Sequence, residues 1–388
     1  MNPQELFCPN DACPSRGLTG QGNITIHSQK EQRCSCKRCG KTFAISKGTA
    51  FYRLHQERTT FLRVVTLLAY GCPLQAIVAA FGLDERTVAD WHKKAGGHCQ
   101  QVHAYLVEQP RDLRCVQADE MRCKLSGQIV WLAMAMQVTT RLWLGGVVSA
   151  SRDRALLTCL ARKIRACALC CPLLVCVDGF GAYVACLYKA FRSPVKTGQR
   201  GRPLLLAWSD FCLGQMLKQY HKGRVVGTIQ RLVQGTSEQA TKLATTAQMI
   251  HTAYIVARRS FESFQSDPCS RLNATFRQRL APLVRRGRAL CKQVHTLQAG
   301  VYLVGSVYNF CTPHQSLRQE QQQGRKWCQR TPAMAAGLTQ HAWTVEQLLT
   351  YRVPLPPFVP KKRRGRPPGA ITSLVRAMVP AIKITTTI

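Results

Sequence analysis

The chain has 388 residues, with 54 Lys and Arg against 19 Asp and Glu and a formal net charge of +35. That length supports two or three domains, each with its own core, and excludes a small fold held by disulfides alone. The charge exceeds what solubility requires and points to a polyanionic partner.

A membrane surface fits less well, because the positive charge is spread along the chain rather than set beside an apolar anchor. The longest apolar run, Ala166 to Val177, contains Pro172 and is too short for a bilayer span. Met1 to Gln21 has no continuous apolar stretch of the signal-peptide kind, so the expectation is a cytoplasmic protein with no membrane partner. In that compartment the 20 cysteines read as metal ligands and small buried hydrophobes rather than disulfides. Cys167, Cys170, Cys171 and Cys176 lie among Leu and Val and are expected to pack in the core.

In chain order, residues 1–55 read as a zinc ribbon. Cys8 with Cys13, and Cys36 with Cys39, offer four thiolates from two turns, enough to close a tetrahedron round zinc. So small a segment has little core to fold without the metal. Cys34 is left over, since pairing it with Cys36 would strain the loop. Residues 56–100 read as a helix-turn-helix: Pro73 to Ala80, the turn Phe81-Gly82-Leu83, then Asp84 to Lys93. Pro73 suits a first helical position, Gly82 permits positive φ, and Asp84 can cap the second helix. Ile77, Ala80, Leu83, Val88 and Trp91 would join the helices. Glu85, Arg86, Thr87 and Asp90 are then free to face a DNA groove, with Lys93 and Lys94 placed for phosphates. An ordinary helical hairpin is the alternative.

From Leu113 the pattern changes to strands: a short one through Val116, then Ile129 to Val138 and Leu142 to Val148. A helix from Arg152 to Ala166, a strand from Leu173 ending at Asp178, and a helix from Ala182 to Phe191 follow. This is the element order of an α/β, RNase H-like domain, an order that other folds share. Leu204 to Trp208 reads as a further strand, and Arg271 to Leu283 and Val294 to Phe310 as helices, completing a domain over 110–345. Residues 354–388 form a basic tail in which Lys361-Lys-Arg-Arg-Gly-Arg-Pro-Pro368 has the form of an AT-hook. Arg364 and Arg366 would extend along a minor-groove floor, and Arg200 and Arg202 of a second Arg-Gly-Arg-Pro run would meet phosphates.

Asp119 and Asp178 each fall at the end of a predicted strand. Two carboxylates on adjacent strands can share divalent ions that activate a water or a 3′-hydroxyl and stabilise a leaving oxygen. Capping a turn is the plainer role for either.

These stretches, taken together, resemble the insertion-sequence-one family of bacterial DDE transposases. The resemblance runs through Cys8, the knuckle Cys36 to Phe43, the helix-turn-helix, Ala118-Asp119-Glu120, Asp178-Gly179-Phe180 and Gln199-Arg-Gly-Arg-Pro203. It resumes at Arg271-Leu-Asn-Ala-Thr-Phe-Arg277, Tyr308-Asn-Phe-Cys-Thr-Pro-His-Gln-Ser-Leu317 and Arg330-Thr-Pro-Ala-Met334, so it covers nearly the whole chain. It implies an RNase H-like catalytic domain with Mg²⁺ or Mn²⁺ at Asp119 and Asp178, and a structural zinc at the four cysteines. The implied substrates are double-stranded DNA, namely the terminal inverted repeats and a target, with strand cleavage and strand transfer by a nucleoid-associated homodimer or higher assembly. Asn273 and Arg277 would support the active site or contact DNA near the scissile phosphate, and His314 would give structural support.

One position departs from the pattern. The family has a Glu directly before the Arg-Leu-Asn run, and here Ser270 holds that place, after what reads as an insert over 256–270. A neutral hydroxyl neither balances divalent charge nor chelates as a carboxylate does. Glu262 and Asp267 are the nearby acids that could supply a third catalytic carboxylate; otherwise the site has lost it. Two other readings stay open: a decayed transposase that only binds DNA, and a zinc-ribbon transcriptional regulator.

Overall fold

The computed structural model describes residues 2–170, 172–195, 198, 201–222, 224–246, 268–284, 293–320 and 327–359. The chain divides into two units, Met1–Ile45 with Pro354–Ile388, and Ser46–Val353. Glu262, Asp267, Arg200, Arg364, Arg366 and Cys171 lie outside the described residues.

The first unit is built on strands β1 (Ile24–Ser28), β2 (Arg33–Cys36) and β3 (Thr42–Ala44), an antiparallel sheet in that order. Leu6, Ile24 and Phe43 are its main buried apolar side chains, and the rest of its small core is cysteine. Cys34, the thiol left over by the ligand spacing, is buried there.

In the second unit α1 (Arg58–Ala69) and α2 (Leu74–Phe81) lead to a tight turn into α3 (Glu85–Leu106). Pro73 is the N-cap of α2, Gly82 ends that helix with φ of 60°, and the Asp84 side chain accepts from the Arg86 backbone N–H at 2.8 Å. Gly at this turn carries no Cβ penalty for the left-handed conformation. The helix after the turn runs to Leu106, well past the Lys93 expected from the sequence. Its apolar period continues through Ala95, Cys99 and Val102, all fully buried, and this half packs against α8 (Val294–Phe310).

A six-stranded mixed sheet follows, with strands β4 (Cys115–Leu125), β5 (Gln128–Gln137) and β6 (Trp143–Ser149), then α4 (Arg154–Cys167), β7 (Leu173–Asp178) and α5 (Ala182–Ala190). Next come a hairpin of β8 (Arg192–Val195) and β9 (Leu204–Ala207), then β10 (Phe211–His221), β11 (Arg224–Gln234), α6 (Ser237–Thr246) and α7 (Pro268–Arg279). Beyond α8 lie the hairpin β12 (His314–Glu320) and β13 (Trp327–Arg330), then α9 (Pro332–Ala335) and α10 (Val345–Thr350). The sheet order is β11-β10-β7-β4-β5-β6, with β4, β7 and β10 parallel and the other pairings antiparallel. The strand expected to be short at Val116 is eleven residues long, because its partner β5 extends to the turn at Gly127 and pairs with it throughout. Strands β10 and β11 escaped the sequence reading, since Gly214, Gln215, Gln219, Thr228 and Gln230 break their apolar alternation.

The edge strand β6 is covered rather than left open. Asn309 of α8 accepts from the Trp143 N–H and donates to its carbonyl, both at 2.9 Å, and Gln298 accepts from Val148 N–H at 3.1 Å. Trp143 itself is fully buried among His103, Tyr302 and Phe276. Of the four cysteines expected in the core, Cys167 and Cys176 are buried, whereas Cys170 is exposed in the loop before β7.

Two outcomes follow from this packing. A Cβ added at Gly96 would sit 2.3 Å from the Ala299 carbonyl oxygen of α8, while one at its neighbour Gly97 would meet nothing within 4 Å. Both positions gain helix propensity with Ala, so Gly97→Ala should stabilise by up to about 1 kcal/mol, whereas Gly96→Ala should destabilise by about 1–3 kcal/mol. Denaturant unfolding of the two variants checks the opposite signs. Burial also lowers the His103 pKa from 6.5 to about 3. The unfolded state therefore takes up a proton that the folded state refuses, and the stability present above pH 6.5 is lost as pH falls toward 3. Substituting His103→Gln should remove about 1.4 kcal/mol per pH unit from that slope, read from unfolding at several pH values in this window.

Candidate metal centres

Residues far apart in sequence converge into two clusters of metal-ligand type among the described residues. The first is Cys8, Cys13, Cys36 and Cys39, whose sulfurs all lie within 4.8 Å of one another. The Cys8 and Cys39 sulfurs are 3.6 Å apart, and those of Cys13 and Cys36 are 3.8 Å apart. A tetrahedron with zinc–sulfur bonds of about 2.3 Å has edges of about 3.8 Å, so the thiols fit that ion closely. The Cys36 carbonyl accepts from the Gly40 N–H at 2.8 Å, closing the knuckle, and Asn23 donates to the Cys36 sulfur at 3.4 Å. Burial pushes the thiols of Cys8 and Cys13 up as free groups. It pushes Cys39 up too, but hydrogen bonds from Asn10 and the backbone at Lys41 outweigh it and leave that thiol at about 7. Four crowded thiols in so thin a core suit a cation that holds them as thiolates. This cluster could hold zinc.

The second cluster arises where two strands part. The parallel ladder joins Cys115 to Leu174, Val116 to Val175 and Gln117 to Cys176, and the same register carried two residues on sets Asp119 beside Asp178. Carboxylate oxygens of Asp119, Glu120 and Asp178 lie within 4.8 Å of one another. Asn273 of α7, buried, donates to Asp119 Oδ2 at 2.7 Å, and the Glu120 backbone N–H donates to Asp119 Oδ1 at 2.9 Å. Asp178 Oδ1 accepts from the Phe180 N–H at 3.0 Å, and Gln215 donates to its backbone carbonyl at 3.3 Å.

Arg152, just before α4, balances part of this negative charge. Its Nε and Nη2 donate to Glu120 Oε1, the first at 2.6 Å, and Nη2 also donates to Asp178 Oδ2 at 3.1 Å. The guanidinium is centred 4.2 Å over the Phe180 ring, and 5.2 Å from that of Trp131. The Tyr183 hydroxyl of α5 donates to Glu120 Oε2 at 2.6 Å. Burial first, and the charge of Asp178 second, raise the Glu120 pKa, opposed by Tyr183 and Arg152. Burial would lower Arg152, but its bond to Glu120 holds it above the usual value. Glu120, Arg152 and Tyr183 were not singled out from the sequence. Glu120 adjoins Asp119 and could have been considered, but nothing local marks Arg152 or Tyr183.

The remaining expected positions are dispersed. Arg86 is exposed at the start of α3, Thr87 is half-buried, and Lys93 lies 3.8 Å from Asp90. Lys94, expected to meet phosphates, donates instead to the Tyr52 carbonyl, because the chain before α1 passes beside it. Arg202 is exposed before β9, and Arg277 is close enough to Cys123 of β4 to lower that thiol against the larger upward push of burial. His314 stacks edge-on to Tyr308 at 4.5 Å, and burial lowers its pKa to about 4. Ser270 is the third residue of α7, one turn before Asn273. No described helix is long and apolar enough to cross a membrane.

A scan against protein-family models matches none, and a search of curated proteins likewise finds no match.

Metal analysis of the purified chain should find one zinc ion per molecule. Cys36→Ser should lose it and, with it, the protease resistance of residues 2–45. A folded, metal-free wild type would contradict this assignment.

Proposed function

We propose that this protein is a DDE-type transposase that binds the ends of a mobile element and carries out metal-dependent strand cleavage and strand transfer on an RNase H-like domain. The observation that carries the reading is the register of β4 and β7, whose last ladder pair is Gln117 with Cys176 and which, carried two residues on, sets Asp119 beside Asp178 with their carboxylate oxygens within 4.8 Å. The sheet order β6-β5-β4-β7-β10, with three parallel strands after an antiparallel meander, supports the RNase H-like assignment. Bound at Asp119 and Asp178, Mg²⁺ or Mn²⁺ would activate the attacking oxygen and stabilise the leaving one.

The chain's own residues have separate tasks in this reading. Asn273 holds the Asp119 carboxylate by its Oδ2, leaving Oδ1 with the backbone N–H of Glu120. The Phe180 N–H fixes Asp178 in the same way. Arg152 and Tyr183 hold Glu120 aside as a neutralising partner rather than a ligand. Exposed Arg86 at the turn between α2 and α3, read as a helix-turn-helix, supplies a contact to double-stranded DNA, and the zinc ribbon a second binding module. Assembly on two terminal repeats requires at least a dimer.

A specific observation favours a second reading, a DNA-binding remnant of such an enzyme. Ser270 lies on α7 one turn from Asn273, where the resemblance calls for a Glu, and Arg152 already bridges Glu120 and Asp178. Two aspartates alone leave divalent charge undercompensated. Strand transfer by the parent chain should therefore be weak. Ser270→Glu should raise it by about tenfold or more, and Asp119→Asn or Asp178→Asn should abolish it in either background, while affinity for the terminal repeats stays within about twofold. Activity that survives both Asn substitutions would remove the carboxylate site from the reaction; no gain from Ser270→Glu, with the helix content unchanged, would favour the remnant.

A further inference from the structure

Five arginines crowd a cavity of about 640 Å³ beside the start of β4, whereas the carboxylates lie at the middle of that strand and the end of β7. Arg111 and Arg114 come from the segment leading into β4, Arg141 from the turn between β5 and β6, and Arg318 and Arg330 from the β12–β13 hairpin. Asp112 is the one acidic residue among the described lining side chains. Like charges gathered round one space repel unless an anion screens them.

The walls are fixed before any ligand arrives. Arg111 Nη2 donates to the carbonyls of Leu106 at 2.8 Å and Val107 at 3.0 Å, the C-terminal end of α3. Arg330 Nη2 donates to the Met334 carbonyl at 3.0 Å. Gln137 Nε2 donates to the Asp112 carbonyl at 3.2 Å, and its Oε1 accepts from Thr140 at 2.8 Å, tying the turn of Arg141 to the segment of Arg114. Arg114 and Arg141 both adopt left-handed backbone conformations, with φ of 54° and 59°. Arginine in that region costs energy that the surrounding hydrogen bonds must hold in place. Arg114 and Arg318, by contrast, are exposed at the rim, and Arg318 lies 4.1 Å over the Trp327 ring, which limits its freedom without neutralising it.

Guanidinium groups match phosphate oxygens in a planar, two-pronged geometry. We propose that this cavity is a second nucleic-acid contact, a cleft that grips the phosphodiester backbone of DNA at a distance from the carboxylates. The proposal rests on the DNA-processing reading above and extends it. Arg114 precedes Asp119 by five residues, a strand length of roughly 16 Å. DNA rises by about 3.4 Å per nucleotide along one strand, so this separation corresponds to roughly five nucleotides. The cleft thus belongs to flanking backbone rather than to the reacting phosphate, and it reads no base sequence.

The test is duplex binding by the full, zinc-loaded chain, followed by fluorescence anisotropy over a range of salt concentrations. Each lost phosphate contact should reduce the slope of log affinity against log salt by about 0.9, so the double variant Arg114→Gln, Arg318→Gln should lower it by about two and weaken binding by about tenfold or more. The pair Arg114→Lys, Arg318→Lys should keep most of the slope. Asp112→Asn retains the oxygen that accepts from the Arg114 N–H but frees its guanidinium from the 3.2 Å ion pair, and should tighten binding by about threefold. A parent that binds duplex with a slope unchanged in the Gln variant would overturn the cleft alone; a parent that does not bind duplex would overturn the wider reading with it. Calorimetry with inorganic phosphate and a mononucleotide separates the remaining case. Tight binding of either that duplex does not displace would make this a small-anion site and refute the proposal.

Discussion

Three carboxylates share one half-buried notch, with oxygens within 4.8 Å of one another, and their mutual repulsion is the constraint round which the second unit is organised. At an effective dielectric near 20, two unit charges at such a separation repel by on the order of 3 kcal/mol. Elements far apart along the chain answer it. The start of α4 brings the Arg152 guanidinium, α5 brings the Tyr183 hydroxyl and α7 brings the Asn273 amide, while backbone N–H groups of Glu120 and Phe180 fill further acceptor sites. The notch keeps its negative character because only one of these partners is a cation. Held that way, the cluster is a place for further positive charge, which is what a divalent ion supplies.

The cost of such a polar site is offset by a well-packed core next to it. Helix α8 lies between β6 and α3, nearly every residue of its second half is buried, and its Asn309 and Gln298 take up the free backbone groups of the sheet edge. Trp143 fills the space where β6, α3, α7 and α8 meet, with ring contacts to His103, Phe276 and Tyr302. Phe276 is one turn from Asn273 on α7, so the same helix that closes on the aromatic core also delivers an amide to Asp119. Packing and site geometry are therefore coupled through α7, and a shift of that helix would move both.

The cationic excess is not a uniform coat. Some of it is consumed inside: Lys94 on the Tyr52 carbonyl, Lys163 on Glu108, Arg111 on the end of α3. Exposed arginines stand at the cavity beside the start of β4, Arg114 and Arg318, and at the turn before α3, Arg86. Positive charge placed away from the carboxylates does not neutralise the notch, and the proposed reading needs this separation between a surface that binds and one that reacts.

Local patterns in the chain were enough for the cysteine spacing, the turn at Gly82 with its Asp84 cap, the helix Val294 to Phe310 and the strand ending at Asp178, because each depends on residues only a few positions apart. The same patterns brought out Asp119 and Asp178 as a pair of strand ends; Asp178 does end β7, whereas Asp119 sits in mid-strand, because β4 continues to Leu125 in its pairing with β5. They were silent on Glu120, Arg152 and Tyr183, which form one network only because β4, α4 and α5 meet in space, and no periodicity encodes the partner of a single arginine. They missed β10 and β11, whose polar, glycine-containing stretches become strands by pairing outward from β7. They also ended α3 too early, because its second half is a helix buried by α8, and that burial is a property of the fold and not of the segment. Sequence thus determined the four cysteines that could bind a metal and where the chain turns; tertiary structure decided which carboxylates meet and which side chains balance their charge, since electrostatic partners are chosen by distance in space rather than by separation along the chain.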